Sequence, residues 1–180
     1  VILSTPVAES SVTVPGVRIV IDSGWMRVPR FSPASAMNKL ETVRIPLASA
    51  DQRRGRAART GAGLCIRLWS QAEEHGFARF GTPEILEADL ASFSLELANW
   101  GLTPDTAGSL RWLDPPPRAK LDQAFELLGS LGAVDPQNLR LTPHGRLLLK
   151  RPMHPRLAHM ISCAEKLHVP ALGCALAAIL

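Results

Sequence analysis

Four arginines crowd into the eight residues Gln52-Arg53-Arg54-Gly55-Arg56-Ala57-Ala58-Arg59, just ahead of a Gly61-Ala62-Gly63 exit. Residues three and four apart on a helix share a face, so a helix over 49–59 points Gln52, Arg56 and Arg59 one way and fans Arg53 and Arg54 elsewhere. One amide and two guanidinium forks on one face suit a triphosphate: planar multi-donor cations meet phosphate oxygens bidentately, and a glutamine can orient a water. Gly55 costs a helix interior about 1 kcal/mol against alanine, a cost easiest to understand where a ligand or a second backbone comes close. The same pattern also fits a solvated basic face.

The composition limits the alternatives. A chain of 180 residues with 46% hydrophobic content is long and apolar enough for one or two cored domains. Three cysteines, Cys65, Cys163 and Cys174, show neither an even count nor a CxxC spacing, which argues against a disulfide framework or zinc ribbon and for a reduced, cytoplasmic setting. No leader-like segment opens the chain, and the closing apolar run 169–180 is too short to span a bilayer, so no membrane role is expected. Val1 at one end and an apolar run at the other are what an excised piece would show.

Charge is uneven along the chain. Lys and Arg outnumber Asp and Glu by 11 to 6 over 1–79 and by 6 to 1 over 136–180, but are outnumbered 3 to 9 over 80–135. Sixteen of the twenty cations are arginine, which favours forked phosphate contacts at the two ends.

The run 1–3 reads as a buried strand that delivers Ser4 and Thr5 to a loop at its carboxyl end, where open α/β sheets place ligands, and 17–21 reads as the next parallel strand. Residues 25–31 and 40–45 alternate as two antiparallel strands around Ser32-Pro33-Ala34-Ser35, and 64–69 reads as a further strand followed by a short polar helix. Thr82-Pro83-Glu84 opens a helix as N-cap and first turn, with Leu86, Leu90, Phe93 and Leu97 as its apolar stripe and Gly101 as its stop. Leu121, Ala124, Phe125, Leu128 and Leu131 mark another helix ending near Gly132, 139–141 a wing strand, Thr142-Pro143 a capped helix, and Leu157, Met160, Ile161, Ala164 and Leu167 a further amphipathic one. His154, His159, Cys163 and His168 lack a second ligand pair or an acidic orienter, so no metal site is assigned.

Several stretches together carry a resemblance. Ser4-Thr5-Pro6-Val7-Ala8-Glu9-Ser10-Ser11-Val12-Thr13-Val14-Pro15-Gly16 with the strand after it resembles motif V of the DEAH/RHA superfamily 2 helicases, and Gln52 to Arg59 resembles their motif VI. Arg30-Phe31-Ser32-Pro33, Leu141-Thr142-Pro143-His144-Gly145-Arg146 and His154-Pro155-Arg156-Leu157-Ala158 extend the likeness over nearly the whole chain, with spacing most similar to the bacterial HrpB type. The resemblance implies an α/β fold: the C-terminal part of a second RecA-like domain with a parallel sheet and β-hairpin over 1–81, a winged helix over 82–151, and the start of a helical, ratchet-like domain over 152–180.

It also implies an ATP-dependent RNA helicase in which Gln52, Arg56 and Arg59 are catalytic. Glu9, Ser10, Thr13 and Gly55 would lie on the nucleotide side, and Ser4, Thr5, Arg27, Arg30 and Arg44 along single-stranded RNA, or DNA. ATP and Mg²⁺ would be shared with a first RecA-like domain, because neither a P-loop nor an acidic Mg²⁺ motif occurs in these residues; the chain alone should then be inactive. Two positions depart from the pattern. Pro15 replaces an acidic residue able to reach a ribose, and Ala58 replaces a glycine. A non-catalytic nucleic-acid-binding or scaffold module remains the competing expectation.

Overall fold

The apolar runs on either side of the arginine stretch pair with each other as strands. The computed structural model describes residues 1–10, 14–32, 37–59 and 61–180, which divide into two units, Val1–Thr82 and Pro83–Leu180.

The first unit runs α1 (Val7–Ser10), β1 (Ile19–Asp22), β2 (Trp25–Ser32), β3 (Met37–Arg44), α2 (Leu47–Ala57), β4 (Leu64–Arg67) and α3 (Gln71–Glu74). β1 and β4 pair in parallel with Ile19 opposite Leu64 and Ile21 opposite Ile66. Parallel neighbours need a long crossover, and here the β2–β3 hairpin and α2 provide it. The hairpin is antiparallel, with Trp25 opposite Arg44 at its base and Pro29 opposite Leu40 midway. α2 packs on the sheet, burying Ala50 and Ala57 beside Ile45. Ile19, Ile21, Leu64 and Ile66, which share one face by register, stay exposed. Parallel sheets are ordinarily covered on both faces, so this unit has one finished face and one bare one.

Two glycines are dictated by the backbone. Gly24 turns β1 into β2 at φ +77, a region closed to most side chains. At Gly63 a Cβ would collide with the Ala57 carbonyl, so the chain leaving α2 can fold back toward β4 only without a side chain there.

The second unit is helical: α4 (Glu84–Glu87), α5 (Ala91–Asn99), a 3₁₀ turn at Ala107–Ser109, α6 (Arg118–Ser130), α7 (Pro143–Leu149), α8 (Pro155–Lys166) and α9 (Pro170–Ile179). Leu90, Leu95, Leu97, Leu121, Phe125, Leu128, Val134 and Leu148 form its core. Thr142 caps α7 by accepting the Gly145 amide at 3.0 Å. Among the described residues no helix is long and apolar enough to cross a membrane.

Four local expectations are corrected. Val1, Ile2 and Leu3 form no strand and are exposed, because no described strand lies beside them to pair. α2 covers Leu47–Ala57 rather than 49–59: Ala58 leaves helical geometry at φ −104, ψ 17, and Arg59 lies beyond the helix. The stripe from Leu86 to Leu97 is broken, since Ala88 is extended at ψ 160 and Thr82 caps nothing; Pro83 holds the N-cap position of α4, and Asp89 starts α5 by accepting the Ala91 amide at 2.7 Å. The wing strand reduces to one antiparallel bridge, Val134 to Leu141. Asp135 gathers the intervening turn through the Leu139 and Gln137 amides, and Leu139 adopts φ 57, which ends any ladder.

Candidate functional site

The carboxyl end of β1, the segment 4–9 and α2 enclose a cavity of about 530 Å³, lined by Ser4, Thr5, Glu9, Asp22, Arg53, Arg56 and Arg59 among others. The Thr5 carbonyl accepts the Ala8 amide and the Pro6 carbonyl accepts the Glu9 amide, which winds α1 and turns Glu9 toward α2. Arg53 then binds three elements at once. Its Nε donates to Glu9 Oε2 at 3.1 Å, and its Nη1 donates to Asp22 Oδ1 at 2.9 Å and to the Trp25 carbonyl at 3.3 Å. Asp22 Oδ1 also accepts the Gly24 amide at 3.0 Å.

Two groups at this cavity are left unsatisfied. Arg56 buries Nε and Nη1 with no hydrogen-bond partner, and Asp22 Oδ2 is likewise buried and alone. Buried polar atoms are nearly always paired, Arg56 is one of the residues lining the cavity, and a guanidinium with N–H groups to spare is the kind of donor an anion with several oxygens takes up. Arg56 therefore fits a phosphate group, while Asp22, held by Arg53 and Gly24, is a structural carboxylate with one oxygen to spare.

The site residues expected from the sequence are only partly gathered here. Arg56 and Arg59 line the cavity, with Glu9, Ser4 and Thr5. Gln52 is exposed on α2 and is not among the lining residues. At Gly55 a Cβ would meet nothing within 4 Å, so no protein contact demands the glycine. Ser10 ends α1, and Thr13 lies outside the described residues. Pro15 lines the cavity wall.

Along the hairpin, Arg27 is exposed and Arg30 pairs with Glu41 at 3.3 Å. Arg44 is held within the protein: its guanidinium lies over the Trp25 ring at 4.0 Å and bonds Glu73 Oε1 at 2.9 Å. Glu73 completes the capping box of α3, and its bond from the Ser70 amide, followed by the Ser70 hydroxyl and Arg44, holds its carboxyl below the ordinary value.

Arg53 and Asp22 were not singled out by the sequence pattern. Helical periodicity sets Arg53 off the Gln52 face, and the only available signal for Asp22 was an acid at the carboxyl end of a strand just before a glycine turn.

Elsewhere His144, His159 and Cys163 form a linear chain, His144 Nε2 to His159 Nδ1 at 2.9 Å and His159 Nε2 to Cys163 Sγ at 3.3 Å. His159 uses both ring nitrogens, so the three do not converge on a point. Among the described residues no group of three His, Cys, Asp or Glu is placed to hold a metal ion.

No family model matches the chain. It is similar to the ATP-dependent RNA helicase HrpB of Escherichia coli (38% identity over 180 residues, all of this chain and 22% of that protein). It is also similar to the ATP-dependent RNA helicase HrpA of the same organism (38% over 170 residues, 92% and 13%) and to the probable ATP-dependent RNA helicase DHX34 of Homo sapiens (37% over 160 residues, 89% and 14%). The chain thus spans less than a quarter of the length of these curated relatives. Among solved structures, the E. coli DEAH/RHA helicase HrpB superposes with a TM-score of 0.85 at 37% identity, covering 98% of this chain and 22% of that one. A second crystal structure, of the E. coli DExH-box NTPase HrpB, gives 0.79 at 36%, covering 97% and 21%.

Proposed function

We propose, from the premise that this chain is a homologue of one segment of the DEAH/RHA-type ATP-dependent RNA helicases, that it supplies the arginine-finger half of a nucleotide site. The observation that carries this reading is Arg56, whose Nε and Nη1 are buried at the cavity with nothing to bond. ATP with Mg²⁺ would bring a polyphosphate whose terminal group the cavity cations can neutralise, and the P-loop and acidic Mg²⁺ ligands would come from a first RecA-like domain.

The chain's own residues have distinct tasks in this reading. Arg56 and Arg59 reach the terminal phosphate and stabilise charge that builds on its oxygens. Gln52, exposed one helical turn before Arg56, orients the attacking water once a facing domain closes over it. Gly55 gives the nucleotide close access to the α2 backbone. Glu9, Ser10 and Thr13 tie the motif V segment to the nucleotide side, and Ser4 and Thr5 donate hydroxyls to the RNA backbone without bulk. Arg27 and Arg30, with the exposed edge of Arg44, flank single-stranded RNA along the hairpin and hold it by phosphates with little base reading.

The remaining parts are assigned by the same reading. The bare face of β1 and β4 packs against the rest of the second RecA-like domain, residues 82–151 form a winged-helix brace, and 152–180 begin a ratchet-like helical domain. The chain by itself is inactive toward ATP.

The test is Arg56→Ala in the full-length enzyme. An arginine finger is worth about 10³ to 10⁵ in turnover, so ATP hydrolysis should fall by about 10³ or more with an unchanged melting temperature. Turnover within about tenfold of wild type would remove Arg56 from the site.

A further inference from the structure

We infer that Arg53 is a positioning residue that couples the nucleotide site to the RNA-facing elements, and that Glu9 ties its segment to that site through Arg53. The inference rests on the helicase reading above and deepens it. It stands on one juxtaposition: a single, largely buried guanidinium holds α1, the end of β1 and the first residue of β2 to α2.

The side chains of Arg53, Glu9 and Asp22 are 16%, 15% and 1% exposed. Nε takes the α1 carboxylate, and Nη1 takes both the β1 carboxylate and the Trp25 carbonyl. A planar fork can serve these diverging acceptors together, whereas an ammonium is a single point and cannot. Each contact leads to a different functional surface. Through Glu9 the cation reaches the segment that begins at Ser4 and Thr5. Through Asp22 it reaches Gly24, whose carbonyl accepts the Ile45 amide and closes the base of the hairpin. Trp25 at that base carries Arg44 on its ring.

Arg53 and Arg56 lie three residues apart on α2, so they are neighbours on one rigid element. Any displacement of Arg56 when it engages an anion moves Arg53 with it. The charge-assisted bonds then oblige α1 and the hairpin base to follow, because breaking them would strand the buried Asp22 carboxylate without a counter-charge. Glu9 gives its Oε2 to Arg53, which makes it the far end of the linkage.

The experiment uses the full-length enzyme and reads one ratio, ATP turnover with saturating single-stranded RNA over turnover without it. Taken on the same preparation, this ratio is insensitive to the fraction of enzyme that is folded. Arg53→Lys keeps the charge beside Asp22 and loses the fork; Glu9→Gln cuts only the α1 arm; the double variant completes a mutant cycle. The ratio is expected to fall about tenfold or more in Arg53→Lys, to fall comparably in Glu9→Gln, and to fall no further in the double variant. A ratio unchanged in Arg53→Lys overturns the coupling role. Multiplicative losses in the double variant overturn it too, since Glu9 would then act on its own. A wild-type enzyme with no RNA-stimulated turnover sinks the helicase reading instead, and this inference with it.

Discussion

His144 on α7 and His159 on α8 share a 2.9 Å hydrogen bond, with their rings edge to face at 5.1 Å between centroids. Burial first, then the charges of His159, Lys166 and Arg151, hold His144 below the ordinary histidine value. As pH falls below about 6.5 the unfolded chain takes up this proton before the folded one does, so stability declines until the folded pKa is reached. Melting curves from about pH 7.5 to about pH 5.5 should show a falling midpoint, and His144→Gln should flatten the slope. An identical slope in the variant would clear His144 of the effect.

Asp89 joins two distant segments, accepting the Ala91 amide with one oxygen and meeting His154 Nε2 at 3.1 Å with the other. Burial works to raise this carboxyl, but the His154 bond, the Ala91 amide and the nearby Arg156 charge together outweigh it and hold it below its ordinary value. A carboxyl lowered in this way contributes stability above the unfolded pKa of about 4, and that contribution is lost as pH falls through the folded value. Asp89→Ala should cost about 1 to 2 kcal/mol near neutral pH through the lost Ala91 and His154 bonds and weaken the pH dependence of stability below about pH 4. A denaturation midpoint equal to wild type at neutral pH would contradict the contribution of these bonds.

Gly55 and Gly63 should respond in opposite directions to alanine. A Cβ at Gly55 meets open space inside a helix, so Gly55→Ala should stabilise the chain by up to about 1 kcal/mol. On the proposed reading of this unit it should nonetheless weaken nucleotide binding. At Gly63 the same methyl meets the Ala57 carbonyl, and a destabilisation of about 1 to 3 kcal/mol is expected. Urea titration of the two variants compares them directly; equal stabilities would mean that Gly63 is not tightly packed.

Leu128 is fully enclosed at 0% exposure, in a core with Leu97, Val134 and Leu148. Leu128→Ala leaves a hole that surrounding helices fill only in part, at about 2 to 5 kcal/mol. The loss should appear in the melting of the second unit, and a midpoint shift below that expected for about 1 kcal/mol would show that the core relaxes.

The elements legible in the sequence are those whose cause lies within a few residues. The strand at Ile19–Asp22, the strands on either side of residues 33–36, the arginine helix and the Thr142-Pro143 start of α7 follow from β-branched runs, alternation, spacing and capping chemistry. Partial legibility marks the cavity: Arg56 and Arg59 line it, but periodicity ran α2 two residues past its end at Ala57. Local pattern could not reveal that Gly63 packs against Ala57, an approach enforced by the return of the chain to β4.

Arg53 shows what the tertiary structure alone decided. By sequence it is one of four similar cations, set off the Gln52 face. Glu9 lies 44 residues away and Asp22 31 residues away, and only the parallel pairing of β1 with β4, with α2 laid across them, brings the two carboxylates to one guanidinium. Bonds over such separations depend on crossover topology rather than on neighbouring residues, and so does the contrast between a satisfied Arg53 and an unsatisfied Arg56 three residues further along the same helix.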